Sequence, residues 1–183
     1  MKKTLIISGH PDIQQSTVNK HWLEKIREYP ERFTVHELSR EYPNSNIDVA
    51  REQTLVDAHD NVVFQFPVYW FNCPPLLKQW FDEVLTYGWA YGSTGKALAN
   101  KKIGLAVSLG APAADYQKDG AVGYELDAVL RPFELIANYI NADYQPFFAF
   151  HTIDSNDGYD EAGIKLVKQS AEDYLVYLNK YFS

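Results

Sequence analysis

The sequence predicts an α/β fold in which a doubly wound parallel sheet carries helices on both faces. Five short β-rich segments predict strands, and helical patterns separate them along the chain. The predicted strands are Thr4–Ser8, Phe33–Leu38, Asn61–Phe66, Ile103–Ser108 and about Tyr144–Phe150. Strands that alternate with helices form βαβ units, whose right-handed crossovers make a doubly wound sheet of five strands the simplest topology.

The helices are predicted from apolar residues that recur every three or four positions. Four such stripes run through residues Val18–Ile26, Leu76–Leu85, Leu126–Ile140 and Ile164–Phe182. A weaker segment, Asp48–Ala58, predicts a further short helix. The chain has no internal repeat and no low-complexity linker, so its 183 residues are interpreted as a single domain, 1–183.

Composition excludes several classes of function. The formal net charge is -7 and the lysines are scattered, so nucleic-acid binding is not expected. The lone Cys73 cannot form an internal disulfide, and no apolar run reaches the roughly 20 residues of a membrane helix, so a cytoplasmic protein is expected. The stretch Asp154–Lys165 resembles a calcium loop but lacks acidic residues at the required positions, and no metal site is predicted.

Ligands of doubly wound sheets bind beyond the carboxyl ends of the strands. The segments that follow the predicted strands are therefore the candidate site: Gly9–Asn19, Pro67–Pro75, Leu109–Gly123 and His151–Gly158. Aromatic residues make up 15% of the chain, and several of them fall in these loops rather than in the predicted core elements.

The first loop, "SGHPDIQQSTVNK", has neither a dinucleotide-binding glycine pattern nor a P-loop. It ends in Ser16, Thr17 and Asn19 at a predicted helix start, where hydroxyls and free backbone N–H groups can bind an anion such as a phosphate. The alternative is that Ser16 or Thr17 serves only as the N-cap of the helix.

The second loop lies within "VVFQFPVYWFNCPPLLKQW". Pro67 has no N–H to continue the strand, and Pro74–Pro75 suits the first turn of a helix. Between them, Val68–Phe71 has backbone N–H groups that no regular element satisfies. A flat, mostly apolar ring with polar edges would fit this segment, and the alternative is that Tyr69, Trp70 and Phe71 cap the core.

The third loop, "SLGAPAADYQKDGAVGYE", is rich in glycine and alanine, which permit close approach of the backbone to a ligand. The hydroxyl of Tyr116, in its middle, could donate a hydrogen bond to a developing charge. The alternative is a mobile surface loop.

These motifs together resemble a known family. The segments "SGHP", "STVNK", "NIDVAREQ", "FQFPVYWFNCPPLLKQWFDEVLTYGWAYG", "ALANKK" and "LRPFE" are similar to those of the flavodoxin-like NAD(P)H:quinone oxidoreductases of the DT-diaphorase type. The likeness is greatest to their short bacterial branch, which includes ancillary oxidoreductases of glutathione-gated potassium efflux systems. It covers nearly the whole chain and implies the flavodoxin-like fold.

The resemblance also implies the flavin contacts. The flavin phosphate would be held by His10, Ser16, Thr17 and Asn19. The isoalloxazine ring would lie along Pro67, Val68, Trp70 and Phe71, with the backbone N–H groups of the last two near flavin N5 and O4. The pyrimidine edge would meet Ser108, Leu109, Gly110 and Ala111.

Three further residues are assigned by the resemblance. Tyr116 matches the tyrosine that acts in catalysis, and Trp89 and Tyr91 fall where the family sends aromatic side chains across a homodimer interface into the partner's site. The chain departs from the larger members in two places. It has Ala111 where they have a second glycine, and no histidine near Val122, so Tyr116 would act alone or with a water.

The implied function is an oxidoreductase that passes a hydride from NAD(P)H through flavin N5 to a quinone or similar acceptor. The chain has no C-terminal extension like that of the larger FAD-binding members, which favours FMN, with FAD as the alternative. The rival function is a flavin-loaded regulatory subunit of a potassium antiporter, peripheral at the inner face of the membrane. An electron-transfer flavodoxin is less favoured, because "GHPDIQQ" is not a Ser/Thr-rich phosphate loop.

Overall fold

Strands and helices alternate along the chain, as the periodicity predicts. In the computed structural model, which describes residues 2–151 and 158–183, the strands are β1 (Thr4–Ser8), β2 (Phe33–Glu37), β3 (Asn61–Pro67), β4 (Lys102–Ser108), β5 (Asp143–Tyr144) and β6 (Phe148–Phe150). The α-helices are α1 (Val18–Ile26), α2 (Leu38–Glu41), α3 (Val49–Asp57), α4 (Pro75–Val84), α5 (Leu126–Tyr139) and α6 (Glu161–Tyr181). Two single-turn 3-10 helices span Ile13–Gln15 and Ala113–Asp115.

The sheet is parallel, in the order β2-β1-β3-β4-β5, and β6 also pairs with β4. This confirms the predicted doubly wound architecture. The predicted fifth strand, however, is divided into β5 and β6. The interruption contains Pro146, which has no N–H to donate to β4. The sheet therefore has five strand positions, of which the last is filled by two short segments.

Helices cover both faces of the sheet. Along β3 the side chains alternate, so that Val62 and Phe64 pack with α4 and α5 while Val63 packs with α1 and α6. Trp80 of α4 is completely buried on the first face, and Trp22 of α1 on the second. Because both faces are covered, the central strands are mostly apolar, as in other parallel sheets. In the part of the chain that the structure describes, no helix combines the length and the apolar character needed to span a membrane.

Several helix ends follow from local sequence. Asp48 caps α3, since its side chain accepts a hydrogen bond from the N–H of Arg51. Pro75 is the first residue of α4, where its missing N–H leaves no helical hydrogen bond unmade. The short α2, which the sequence pattern did not predict, begins directly after β2 and ends that strand one residue before the predicted boundary.

A buried carboxylate joins three of these elements. Glu52 of α3 has 0% of its surface exposed. It accepts hydrogen bonds from His36 Nε2 at 2.9 and 3.0 Å, from the Tyr42 hydroxyl at 2.5 Å and from Trp80 Nε1 at 2.7 Å. Burial alone would raise the pKa of Glu52, but the donors His36, Tyr42 and Trp80 outweigh burial and hold that pKa below its ordinary value. An ionised glutamate thus ties β2 and α4 to α3.

We expect the Glu52→Gln substitution to lower the free energy of unfolding by about 1–3 kcal/mol, because an amide group would turn its own donor toward one of the three donors. The contribution of the Glu52 carboxylate is fully present above the unfolded-state pKa of about 4.3 and is lost as the pH falls through the lower folded-state pKa. Urea denaturation at a series of pH values measures both effects. The substitution of exposed Glu83 by glutamine is the control, and equal stabilities of the two variants would contradict the assignment.

Candidate functional site

A cavity of about 300 Å³ opens at the carboxyl ends of β1, β3 and β4. It lies where the topology predicts a ligand site. Its lining includes nine of the residues that the sequence singles out: His10, Ser16, Thr17, Asn19, Pro67, Val68, Ser108, Leu109 and Gly110. Three of the four predicted loops therefore contribute to one concave site.

The sequence motifs assign no role to the other five lining residues. They are Gln15, Val18, Tyr69, Phe150 and Tyr159. Tyr159 lies just beyond the segment 151–158 that follows the last strand, and most of that segment falls outside the described residues. Phe150 is the last residue of β6 and reaches the cavity because the backbone N–H of Leu109 bonds to its carbonyl at 2.9 Å. Phe150 could have been identified from the sequence, since it is the carboxyl-terminal residue of its strand and ligands bind at the carboxyl ends of the strands.

The start of α1 combines helix capping with a polar cavity wall. The Ser16 hydroxyl accepts a hydrogen bond from the backbone N–H of Asn19 at 3.0 Å, three residues on, which is the N-cap pattern. Thr17 makes no such bond within the described residues, and its side chain contributes to the cavity lining. Ser16 therefore has both of the roles considered in the sequence, as cap and as cavity residue.

His10 is held as a hydrogen-bond donor to the cavity. Its Nδ1 accepts a hydrogen bond from the backbone N–H of Asp12 at 3.1 Å. Burial lowers the pKa of His10, and the charge of Asp12 opposes this only in part. The ring is therefore neutral at pH 7, and because Nδ1 is an acceptor, the remaining proton sits on Nε2.

A chain of polar side chains lies beneath the cavity. Gln65 Nε2 lies 3.1 Å from the backbone oxygen of Asn19 and 3.3 Å from its Oδ1, and Asn19 Nδ2 lies 2.9 Å from Ser108 Oγ. Gln65, on the central strand, was not singled out from the sequence. The signal for it was a glutamine in the otherwise apolar run "VVFQF", where a buried amide needs hydrogen-bond partners.

The segment after β3 forms a tight hairpin turn. Tyr69 and Asn72 exchange backbone hydrogen bonds of 2.8 and 3.0 Å, with Trp70 and Phe71 between them. Trp70 has a φ of 49° and Phe71 a φ of 62°, a left-handed conformation that bulky residues rarely adopt. Trp70 is 94% exposed, so it does not cap the core.

This turn leaves two backbone donors free. Within residues 2–151 and 158–183, the N–H groups of Trp70 and Phe71 have no acceptor. Their side chains lie outside the cavity lining, whereas Val68 and Tyr69 belong to it. Two consecutive left-handed aromatic residues cost of order 1–3 kcal/mol each, and such strain is typical of ligand-binding sites.

The loop after β4 places Tyr116 differently from the expectation. Only 7% of its surface is exposed, and neither it nor Ala111 contributes to the cavity lining. Burial, helped by the charge of Asp115, raises the pKa of Tyr116, so its hydroxyl keeps its proton at neutral pH.

A histidine does stand beside this tyrosine. The sequence has no histidine near Val122, but the centroid of the His151 ring lies 5.7 Å from that of the Tyr116 ring. His151 Nδ1 is 3.3 Å from the Ala111 carbonyl oxygen. His151 directly follows β6 and could not be found by matching motifs around Val122.

Trp89 and Tyr91 also lie outside the cavity lining. Trp89 Nε1 donates a hydrogen bond to Asp57 at 3.3 Å. The Tyr91 ring contacts those of Tyr87 and Tyr139, both largely exposed, and the three form an aromatic surface patch. In one chain these residues therefore do not meet the cavity.

The site suits binding of an acceptor-rich ligand more than hydrolysis. His10 and Ser16 contribute hydrogen-bond donors to the lining, and Pro67, Val68 and Leu109 contribute apolar surface. Among the described residues no three His, Cys, Asp or Glu side chains are grouped closely enough to hold a metal ion. Such a cavity fits an anionic group joined to a flatter, less polar body.

Comparison with protein families matches residues 2–175 to the family described as having a flavodoxin-like fold. Among curated proteins, the uncharacterized NAD(P)H oxidoreductase YrkL of Bacillus subtilis is 44% identical over 96% of this chain and 97% of its own length. The potassium-efflux ancillary protein KefG of Cronobacter sakazakii is 44% identical over 74% of this chain and 73% of its own.

Two solved structures extend the likeness to three dimensions. The general stress protein 14 of Treponema denticola, in complex with FMN, is 62% identical and superposes with a TM-score of 0.93, covering 98% of this chain and 99% of that one. An NADPH-quinone reductase from P. pentosaceus is 30% identical with a TM-score of 0.79, covering 94% and 96%. The resemblance noted in the motifs is thereby confirmed, and the chain belongs to the family of proteins with the flavodoxin-like fold.

Proposed function

We propose that this chain is an FMN-dependent oxidoreductase that takes a hydride from NAD(P)H and passes two electrons to a quinone or similar acceptor. The observation that carries the proposal is the cavity at the sheet edge, with donors at the start of α1 and an unsatisfied hairpin turn nearby. The FMN complex of the Treponema protein and the names of the oxidoreductase relatives support it.

The donor set fits the phosphate of FMN. A doubly charged phosphate needs donors and no competing carboxylate, and the cavity offers the His10 Nε2–H, the hydroxyls of Ser16 and Thr17, and the start of α1. Within the described part of the chain, no Asp or Glu contributes to the cavity lining. We assign His10, Ser16, Thr17 and Asn19 to this phosphate.

A bound flavin supplies hydride acceptance from NAD(P)H and two-electron donation to an acceptor. The chain supplies binding and electrostatics. The free N–H groups of Trp70 and Phe71 are donors that would favour negative charge on a ring bound against the hairpin. We assign the ring contacts to Pro67, Val68, Trp70 and Phe71, and the other edge to Ser108, Leu109, Gly110 and Ala111.

Tyr116 would serve as a neutral donor, since a tyrosine hydroxyl is protonated at neutral pH and burial raises the pKa of Tyr116 further. His151, whose ring lies against that of Tyr116, restrains the tyrosine ring. The pair would then fill the role that the sequence assigned to Tyr116 acting alone or with a water.

A homodimer completes the proposal. Tyr87 and Tyr139 are exposed aromatic side chains whose rings contact Tyr91, Leu135 is exposed on the same helix as Tyr139, and a second copy of the chain would cover them. Trp89 and Tyr91 would then face the partner's site.

The second candidate is a regulatory subunit of a potassium efflux transporter, peripheral at the cytoplasmic face of the membrane. It is supported by the 44% identity to KefG over 74% of this chain. Turnover of a quinone by the purified protein favours the enzyme, because a purely regulatory subunit has no need of it.

The purified protein is expected to be yellow and to oxidise NAD(P)H when a quinone is present. Acid extraction followed by mass measurement should release FMN rather than FAD. Protein that stays colourless after FMN is added would refute the proposal, and extraction of FAD would refute only the choice of cofactor.

Trp70→Ala should weaken FMN binding about tenfold, because the bound ring would lose contact with the aromatic side chain. The stability of the apoprotein should not change, because the Trp70 side chain is 94% exposed and its removal takes away little buried area. Fluorescence titration gives the affinity, and urea denaturation gives the stability. The control is Leu166→Ala, at an exposed position of α6. Lost stability with unchanged affinity would instead make Trp70 a packing residue.

Tyr139→Glu should convert the dimer into a monomer, since it places a charge within the aromatic surface patch. Light scattering coupled to gel filtration measures the mass. The matched variant Val176→Glu, at an exposed site on α6, should stay dimeric. A wild-type protein that is monomeric at micromolar concentration would rule out the dimer.

A further inference from the structure

The hydrogen-bond distances determine which atoms donate and which accept in the row of polar side chains beneath the cavity. This row consists of Gln65, Asn19 and Ser108, all of which are at least nine-tenths buried. The three residues come from β3, α1 and β4, so the row crosses the floor of the site from the central strand to the cavity wall. Of the three, only Gln65 lies outside the cavity lining.

The assignment of donors and acceptors starts from the backbone oxygen of Asn19. The backbone oxygen of Asn19 can only accept, so the atom of Gln65 that lies 3.1 Å from it must be the NH₂ nitrogen. The same nitrogen faces the Asn19 side chain at 3.3 Å, and therefore the Asn19 atom there must be its oxygen. Gln65 thus sets which way the Asn19 amide points.

The orientation of Asn19 then decides the role of Ser108. With its oxygen turned to Gln65, Asn19 directs its NH₂ group to Ser108 Oγ at 2.9 Å. Ser108 Oγ accepts this bond, so its own proton is free to donate in another direction. Because Ser108 lines the cavity, this proton is available to an acceptor atom bound there.

A buried atom without a partner supports a positioning role for Gln65. In the part of the chain that the structure describes, no donor reaches Gln65 Oε1, although the residue is 0% exposed. Rotating the Gln65 amide by half a turn would place Oε1 against the Asn19 backbone oxygen, and two acceptors in contact are less favourable than one unpartnered oxygen. An apolar side chain would remove this oxygen but leave the buried Asn19 Oδ1 without the donor that Gln65 supplies, so what the amide provides at this position is the orientation of Asn19.

We propose that Gln65 is a positioning residue that acts through Asn19 to make Ser108 a hydrogen-bond donor to an acceptor atom of the bound FMN. The inference rests on the proposed function, because it takes FMN as the ligand. Gln65 itself does not touch the ligand, and its effect on binding passes entirely through Asn19 and Ser108.

The test is a double-mutant cycle on the affinity for FMN, measured by fluorescence titration of the apoprotein. Gln65→Met replaces the amide by an unbranched apolar side chain of similar shape, and Ser108→Ala removes the donor. Each single variant should bind FMN about tenfold more weakly than wild type. The double variant should bind no more weakly than Ser108→Ala alone, because the Asn19 amide, whose oxygen and nitrogen are engaged by Gln65 and Ser108, transmits its orientation to the ligand only through the Ser108 hydroxyl.

Gln53→Met is the matched control. The Gln53 amide also donates to a backbone carbonyl, that of Val84 at 3.0 Å, but it lies on α3 and outside the cavity lining. It should leave the affinity for FMN unchanged. A merely structural role of Gln65 would lower the affinity equally in the wild-type and Ser108→Ala backgrounds, and this result would overturn the inference.

Two other outcomes separate the inference from the proposed function. If wild type binds FMN and Ser108→Ala binds it equally well, the positioning role is wrong and the proposed function stands. This arm does not depend on the folding of any Gln65 variant. If wild-type protein does not bind FMN, the proposed function fails and the inference fails with it.

Discussion

The pairing of β3 with both β1 and β4 is the interaction on which the rest of the structure depends. β3 is buried along its whole length and pairs in parallel through seven residues with β4 and through five with β1. A parallel sheet brings all carboxyl ends to one edge, so this pairing collects the loops that form the cavity. It also places Gln65 beneath the cavity, since that residue pairs with Ser8 and Ala106.

The site is organised by directed donors rather than by charge. His10 is neutral, and the Ser16 hydroxyl accepts from the backbone as Ser108 accepts from Asn19, which leaves each with a proton to give. The formal charge of -7 would repel a phosphate at long range. Short-range donors at the start of a helix are the means by which an acidic protein can still bind an anion.

The order of strands and helices was predictable because a buried helix face or strand face requires apolar residues at regular spacing in the sequence. The site loops were predictable because ligands of doubly wound sheets bind beyond the carboxyl ends of the strands. The failures concern contacts between distant positions. His151 is 35 residues from Tyr116 along the numbering, and only the pairing of β6 with β4 brings them together. The exposure of Trp70 depends on a left-handed turn for which a sequence lacking glycine there gives no signal. Pro146 did carry a signal for the divided strand, which the apolar pattern around it obscured.

The divided last strand also bears on solubility. An uninterrupted edge strand exposes a row of unpaired N–H and C=O groups, to which a strand of another molecule can add. Here that edge consists of β5 with two residues and β6 with three, and Pro146 between them cannot donate. Neither segment is long enough to template an intermolecular sheet. The same break that shortens the strand therefore protects this edge against strand-to-strand aggregation. Two copies of the protein would then associate through side-chain contacts and not through backbone pairing at this edge.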